Sequence, residues 1–327
     1  MMPFRFTPAT QEENALKACS EPGAPRYVAG GTGLLDLMKL HVETPDHLVD
    51  VQNLPLGKIE RQGQKIWVGA AVKNSDMATD PLIEKNFPLV SKALLSGASP
   101  QLRNLATLAG NLLQRTRCSY FRDTAWSCNK RKPGSGCPAL EGQNRMHAVL
   151  GGSRHCIATH ASDLCVALSA LDARVKVLGN GGERWIEFAD FHRLPGDTPH
   201  VETSLAPGEL VLGVEIPVTD WFRHSTYVKV RDRASYAFAL ASAAVALQVE
   251  SGVISNARIA FGGLGTVPWR AREAELFLAG QKPGERAARA AARIALTDTQ
   301  PRKQNSFKIA LAEETLVRAV LELGRPA

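Results

Sequence analysis

Aromatic residues make up only 6% of the 327-residue chain, too few for an obvious base-stacking platform, even though the net charge is +7. Lys and Arg are scattered, with one short cluster at Lys130, Arg131 and Lys132. Nucleic acid is therefore not expected as a partner, and a basic surface meeting an acidic partner subunit explains the charge equally well. No apolar run approaches the roughly 20 residues of a membrane span, so none is expected. The opening, MMPFRFTPATQEEN, lacks a basic segment followed by an apolar one, and no export signal is expected on this chain itself. Internal repeats and low-complexity linkers are missing too, which suggests parts packed as one rigid body. A hydrophobic content of 44% and a charged content of 22% leave an ordinary globular composition, and the length suggests two or three domains.

What the chain does have is a concentration of cysteine. Four of its six cysteines, Cys118, Cys128, Cys137 and Cys156, are separated by nine, eight and eighteen residues. That spacing matches neither a zinc ribbon nor a ferredoxin run. A structural zinc would usually bring a tight Cys-x-x-Cys knuckle, and disulfides would need oxidative folding. Cys19 and Cys165 lie among apolar residues in helical patterns and read as packing cysteines.

Three stretches separate along the chain. Residues 1–56 alternate strand and helix signals: FRFT, a helix over ENALKACS opened by a Thr10–Glu13 capping box, the strand RYVAGG, the helix GLLDLMKL and the strand HLVDV. Residues 57–220 open with a hairpin, KIERQGQKIWVGAAV, followed by helices, the cysteine segment at 115–158, and the pattern SDLCVALSALDARVKVLG, helix into strand. Residues 221–327 read as a sheet closed by two or three helices. Two glycine sites stand out. AGGTGLL (Ala29–Leu35) lies between strand and helix, where backbone N–H groups favour a phosphate, but Asp36 replaces the third glycine of a dinucleotide fingerprint. RNLATLAGNLLQ interrupts a helical pattern with Thr107, Gly110 and Asn111, small or polar groups that let a backbone approach a ligand. A plain turn and a glycine-capped helix explain each one alone.

Five segments in order, VAGGTGLLDLMKL, QLRNLATLAGNLL, ATHASDLCVALSALDA, LVLGVEIP and YVKVRDRASYAFAL, resemble the FAD-binding subunits of the xanthine dehydrogenase and molybdenum hydroxylase family over nearly the whole chain. The likeness is strongest to its aldehyde-oxidising members. It implies an α+β fold, with a two-part FAD-binding region of the PCMH (vanillyl-alcohol oxidase-like) type. A carbon monoxide dehydrogenase flavoprotein-like C-terminal α/β domain would follow. By the same resemblance, the backbone of Ala29, Gly30, Gly31, Thr32, Gly33, Leu34 and Leu35 holds the FAD pyrophosphate, and Thr107, Gly110 and Asn111 form the second flavin loop. Asp163 matches a residue at the adenosine end, while Leu212 and Lys229 match positions beside the isoalloxazine. Without the resemblance, Asp163 reads as a helix N-terminal charge and Lys229 as an exposed strand lysine.

A minority of the family carries extra cysteines before the SDL helix that bind a [4Fe–4S] cluster. The resemblance therefore assigns Cys118, Cys128, Cys137 and Cys156 as cluster ligands. Arg115, Arg117, Lys130, Arg131 and Lys132 would offset the cluster's negative charge, and His155 is not needed in the set. It further implies a heterotrimer with a large subunit carrying molybdopterin cytosine dinucleotide and a small [2Fe–2S] subunit. Aldehyde and water would become carboxylate at the molybdenum, and electrons would pass through [2Fe–2S] clusters and this FAD to an external acceptor. The expected location is the periplasm, by co-export with a partner bearing a twin-arginine signal, and otherwise the cytoplasm. A stand-alone FAD-dependent oxidoreductase and an iron–sulfur nucleic-acid-binding protein remain the alternatives.

Overall fold

A computed structural model of the chain describes residues 1–324. The first unit comprises β1 (Arg5–Pro8), α1 (Glu12–Cys19), β2 (Pro25–Val28), α2 (Leu34–Lys39) and β3 (His47–Asp50). Its strands are parallel in the order β1-β3-β2. Parallel neighbours need crossover connections, which explains why helix and strand signals alternate here. The expected capping box does not form. Helix α1 starts at Glu12 behind Gln11, which makes no side-chain cap bond, so Thr10 lies one residue too early. The acidic Glu12 and Glu13 in the first turn supply the favourable charge instead.

The second unit begins with the expected hairpin, β4 (Ile59–Gln62) and β5 (Lys65–Gly69), turning at Gly63. Helices α3 (Asn74–Thr79), α4 (Pro81–Asn86), α5 (Pro88–Ser96), α6 (Pro100–Leu105), α7 (Leu108–Leu112) and α8 (Ser119–Arg122) follow. After the cysteine segment come α9 (Asp163–Ala170), β6 (Arg174–Gly179), β7 (Gly182–Glu187), α10 (Phe188–Phe191) and β8 (Leu210–Pro217). Its five strands form an antiparallel sheet in the order β4-β5-β8-β6-β7. Alternate residues Ile66, Val68, Val175, Val177, Val214 and Ile216 are buried in the core with Phe87, Leu89 and Leu168 of the helical layer. Every residue of α9 after Asp163 is buried, as befits a helix covered on all sides.

The third unit is an antiparallel sheet, β9 (Ser225–Val230), β10 (Ala241–Glu250), β11 (Val253–Gly262) and β12 (Trp269–Arg270), in the order β12-β11-β10-β9. Helices α11 (Arg272–Leu278) and α13 (Phe307–Leu323) pack on it, and α12 (Glu285–Ala295) packs against both helices, with Ala288, Ala291 and Ala292 buried in the shared core. Helix α9 also packs on β10 and β11, and α5 packs on β9. The second and third units thus share a continuous interior, and the start of α9 falls on their seam.

Candidate functional site

The glycine loop and the interrupted helix meet in one cleft. Ala29 through Leu34 line it together with Thr107, Gly110, Arg115, Leu210 and Val211. The helical pattern breaks at Ala106, and Thr107 then caps α7, its Oγ1 accepting from the Gly110 amide at 3.2 Å. A Cβ on Gly30 would lie 2.0 Å from the Leu105 carbonyl oxygen, so only glycine lets the two loops touch. Gly31 sits at φ +70°, a left-handed conformation that favours glycine. At Gly33 a Cβ would meet nothing within 4 Å, which leaves the loop's surface open to a ligand. Leu35 packs beside Val28 and Met38 instead of lining the cleft. Asn111 is engaged elsewhere: its Oδ1 accepts from Ser162 Oγ at 2.6 Å and Gln114 Nε2 at 2.7 Å, tying α7 to the start of α9.

A second cleft opens on the seam, lined by Asp163, Ser242, Gly262 and Phe238 and, from the cysteine segment, by Cys118 and His147. Asp163 pairs with Lys229 Nζ at 2.7 Å and accepts from the Tyr227 hydroxyl at 2.6 Å. Burial, with Asp163 adding to it, pushes the Tyr227 hydroxyl well above its usual 10, so it stays a donor. Lys229 is a buried ion-pair partner, its side chain 4% exposed, and not an exposed strand lysine. The resemblance matches Asp163 and Lys229 to different parts of FAD, and here the two side chains are in direct contact. Leu212 parts from Lys229 as well: it is buried against the first unit with Ala15, Val49 and Leu54, next in the chain to residues of the first cleft.

The four clustered cysteines converge on one narrow cavity. Cys118 precedes α8, and the backbone at Phe121 and Tyr120 favours its thiolate form. The backbone at Ala139, Ile157 and Leu140 likewise favours the Cys137 thiolate, and the Ala158 amide lies 3.5 Å from Cys156 Sγ. Donors aimed at sulfur suit thiolates. In the protein alone, burial outweighs these donors and pushes Cys118 up to about 12 and Cys156 up to about 11. A bound metal would remove those protons. All six cysteines are free, and no three of the clustered thiols lie within 4.8 Å of one another among the described residues. A single zinc, at about 2.3 Å from each sulfur, would hold them about 3.8 Å apart. The four thiols are therefore not set at single-zinc spacing, and four cysteines on one cavity are the donor types an iron–sulfur group takes.

The charges around this cavity are used differently from the expectation. Lys130 and Arg115 pair with Glu202 at 2.6 and 2.8 Å, and Arg115 also pairs with Glu43. Arg131 donates to the carbonyls of Tyr120, Phe121 and Trp126. These cations hold the loop's shape first, although Lys130 still favours the Cys156 thiolate. His155 lines the cavity too, with its Nε2 3.2 Å from Asp197. Sequence reasoning missed three organising residues. Buried Asn129 joins Gly136 to His155, His147 Nε2 lies 3.1 Å from Cys118 Sγ, and buried Lys308 of α13 holds the carbonyls of Met146, His147 and Gly263. Nothing in the local pattern marks any of them, whereas Tyr227 stands two residues before Lys229 on the same strand face.

One other group converges: His160, Cys165 and His192 lie within 4.8 Å of one another. His160 Nδ1 accepts from the Ser162 amide at 3.3 Å, which leaves its proton on Nε2. It therefore presents a donor inward where a metal needs a lone pair, and Cys165 remains the packing cysteine expected.

A glycine-loop cleft between a parallel unit and an antiparallel sheet, followed by a sheet with three helices, defines a two-domain flavin-binding oxidoreductase component. Residues 2–219 match the FAD binding domain in molybdopterin dehydrogenase, and residues 226–323 match the CO dehydrogenase flavoprotein C-terminal domain. The chain belongs to the FAD-binding subunits of the molybdenum hydroxylase family. It is 49% identical over 315 residues to the aldehyde oxidoreductase FAD-binding subunit PaoB of Escherichia coli, covering 96% of this chain and 95% of that one. The glyceraldehyde dehydrogenase medium chain of Sulfolobus acidocaldarius is 26% identical over 280 residues, or 85% and 82% of the two chains. Among solved structures, quinoline 2-oxidoreductase from Pseudomonas putida 86 superposes with a TM-score of 0.77 at 25% identity, over 99% and 97% of the chains.

Proposed function

We propose that this chain is the FAD and [4Fe–4S] electron-transfer subunit of a heterotrimeric, molybdenum-dependent aldehyde oxidoreductase. The observation that carries the proposal is the set of four cysteines lining one cavity, one of which, Cys118, also lines the second cleft. The aldehyde substrate class is supported by 49% identity to an aldehyde oxidoreductase subunit. When bound, FAD supplies exchange of one or two electrons and the cluster exchange of one.

The protein's own residues divide the work. The backbone from Ala29 to Leu34 and the facing Thr107–Gly110 turn hold the pyrophosphate in the first cleft, where the apolar Leu210 and Val211 cover the adjoining part of the ligand. The flavin ring belongs in the second cleft, where Asp163 lines the wall and offers an acceptor, and Lys229, buried behind it in the ion pair, adds a positive charge that favours an anionic reduced ring. Cys118, Cys128, Cys137 and Cys156 hold the cluster. The partners are a large molybdopterin-binding subunit and a small [2Fe–2S] subunit, and the electrons leave to an external acceptor. A stand-alone oxidase would need a free acid–base pair in the second cleft, and Asp163 is already committed to Lys229 and Tyr227.

The test is an absorption spectrum and metal analysis of the anaerobically purified complex. Flavin bands with a broad shoulder near 400 nm (about the usual iron–sulfur region) and about four iron atoms on this chain are expected. Flavin without that iron would refute the cluster assignment. The place of work is the periplasm, reached as folded cargo of a partner with a twin-arginine signal, because cofactor loading precedes export. Replacing the partner's arginine pair with lysines should strand this subunit in the cytoplasm. Its appearance in the periplasm regardless would refute co-export.

A further inference from the structure

His147 stands where the cluster cavity and the second cleft share a wall, since both it and Cys118 line each of them. Its Nε2 lies 3.1 Å from Cys118 Sγ. Its Nδ1 is buried with no hydrogen-bond partner among the described residues, so that sulfur is the ring's one polar contact. A metal-bound thiolate has no proton to give, and the ring must then carry its proton on Nε2 and donate it toward sulfur.

The ring's position is imposed from outside the cysteine loop. The His147 carbonyl accepts from Lys308 Nζ at 3.1 Å and from Asn305 Nδ2 at 3.2 Å, both near the start of α13. Its amide donates to the Asn144 carbonyl, and Asn144 is tied to Gln304 twice, its own amide donating to Gln304 Oε1 and its Oδ1 accepting from the Gln304 amide. The third unit thus sets the distance from His147 to the sulfur.

Resting on the cluster assignment above, we infer that His147 is a positioning residue that raises the cluster's reduction potential through an N–H···S bond to Cys118, on the side facing the flavin cleft. Such a bond stabilises the extra negative charge of the reduced state. The donor is one histidine bonded to one cluster ligand, so its effect on the cluster exceeds its effect on a flavin in the adjoining cleft.

The experiment is a redox titration of the anaerobically purified complex, followed by low-temperature electron paramagnetic resonance for the cluster and by absorbance for the flavin. His147→Phe removes the donor and keeps a ring. It should retain iron and shift the cluster midpoint to more negative potential, with a smaller shift in the flavin midpoint. His147→Gln restores an N–H and should fall between the two. Retained iron with an unshifted cluster midpoint would overturn the inference, and so would an equal shift in the flavin. If His147→Phe loses iron, His147→Gln decides by the same midpoint, and iron loss in both makes His147 a wedge and refutes a tuning role. A wild-type complex with no such cluster signal refutes the assignment beneath it instead.

Discussion

Gly33→Val separates a ligand cradle from a simple turn. Gly33 has φ −108° and ψ −52°, a conformation open to any residue, and a Cβ there meets no protein atom within 4 Å. The substitution therefore costs the empty protein little. A Cβ at that point stands in open space on the cleft wall, where a bound ligand would meet the added side chain. If the loop's amides hold the pyrophosphate, displacing the phosphate sacrifices one charge-assisted hydrogen bond, worth about 1.5–3 kcal/mol. That converts to a roughly 10- to 150-fold weaker FAD affinity. The assay is titration of FAD into deflavinated complex by flavin fluorescence, beside the melting temperature of the flavin-free protein. Gly30→Ala is the contrast, because its Cβ would lie 2.0 Å from the Leu105 carbonyl oxygen. It forces the two loops apart and should lower melting temperature and FAD affinity together, by about 1–3 kcal/mol of overpacking. Unchanged FAD affinity in Gly33→Val would show that no phosphate approaches this loop.

Cys128→Ser should cost the chain its cluster, read as a fall of about four iron atoms by metal analysis, with most of the flavin kept. Unchanged iron would remove Cys128 from the ligand set. Lys229→Ala leaves Asp163 as a buried carboxylate without its cation, a loss of about 3–5 kcal/mol. Melting temperature and flavin reduction potential should both drop, and pairing the change with Asp163→Asn should recover much of the stability. Glu202 gives a pH dependence. Burial raises its carboxyl, but Lys130 and Arg115 together bring it below its usual 4.5. The folded value lies below the unfolded one, so its stabilisation is complete above about pH 4.5 and fades as pH falls through the lower folded value. Melting curves of wild type and Glu202→Gln should therefore converge in acid, and a constant gap would exclude this linkage.

How far the sequence could be read depended on how local each feature is. The βαβ alternation, the opening hairpin and the final sheet with its helices rest on periodicity, and all three form. The break at Thr107 was visible because Thr, Gly and Asn interrupt an apolar helical pattern within five residues. The capping box failed because a shift of one residue at a helix start leaves no trace in composition. Pairings across the seam were hidden for a different reason. Asp163 and Lys229 are 66 residues apart and belong to different units, so no spacing rule joins them. The same holds for Lys308 and His147, which stand 161 positions apart.

Those long-range links also explain why so short a cysteine segment can keep a defined shape. It has only a small apolar cluster of its own, around Tyr120, Ala139 and Ile157. Its outer contacts reach all three units. Arg122 pairs with Asp36 of α2 at 2.7 Å, and Arg115 joins Glu43 of the first unit to Glu202 of the second. Asn144 meets Gln304, and Lys308 and Asn305 take the carbonyls of residues 146 to 148. Asp36 is the residue that stands where a dinucleotide fingerprint would have its third glycine. Here that departure has a structural use, because its carboxylate ties the flavin loop's helix to the segment just beyond Cys118. The glycine loop and the cysteine segment are therefore joined directly, through Arg122 on Asp36 and through Arg115, which lines the glycine-loop cleft and pairs with Glu43 there.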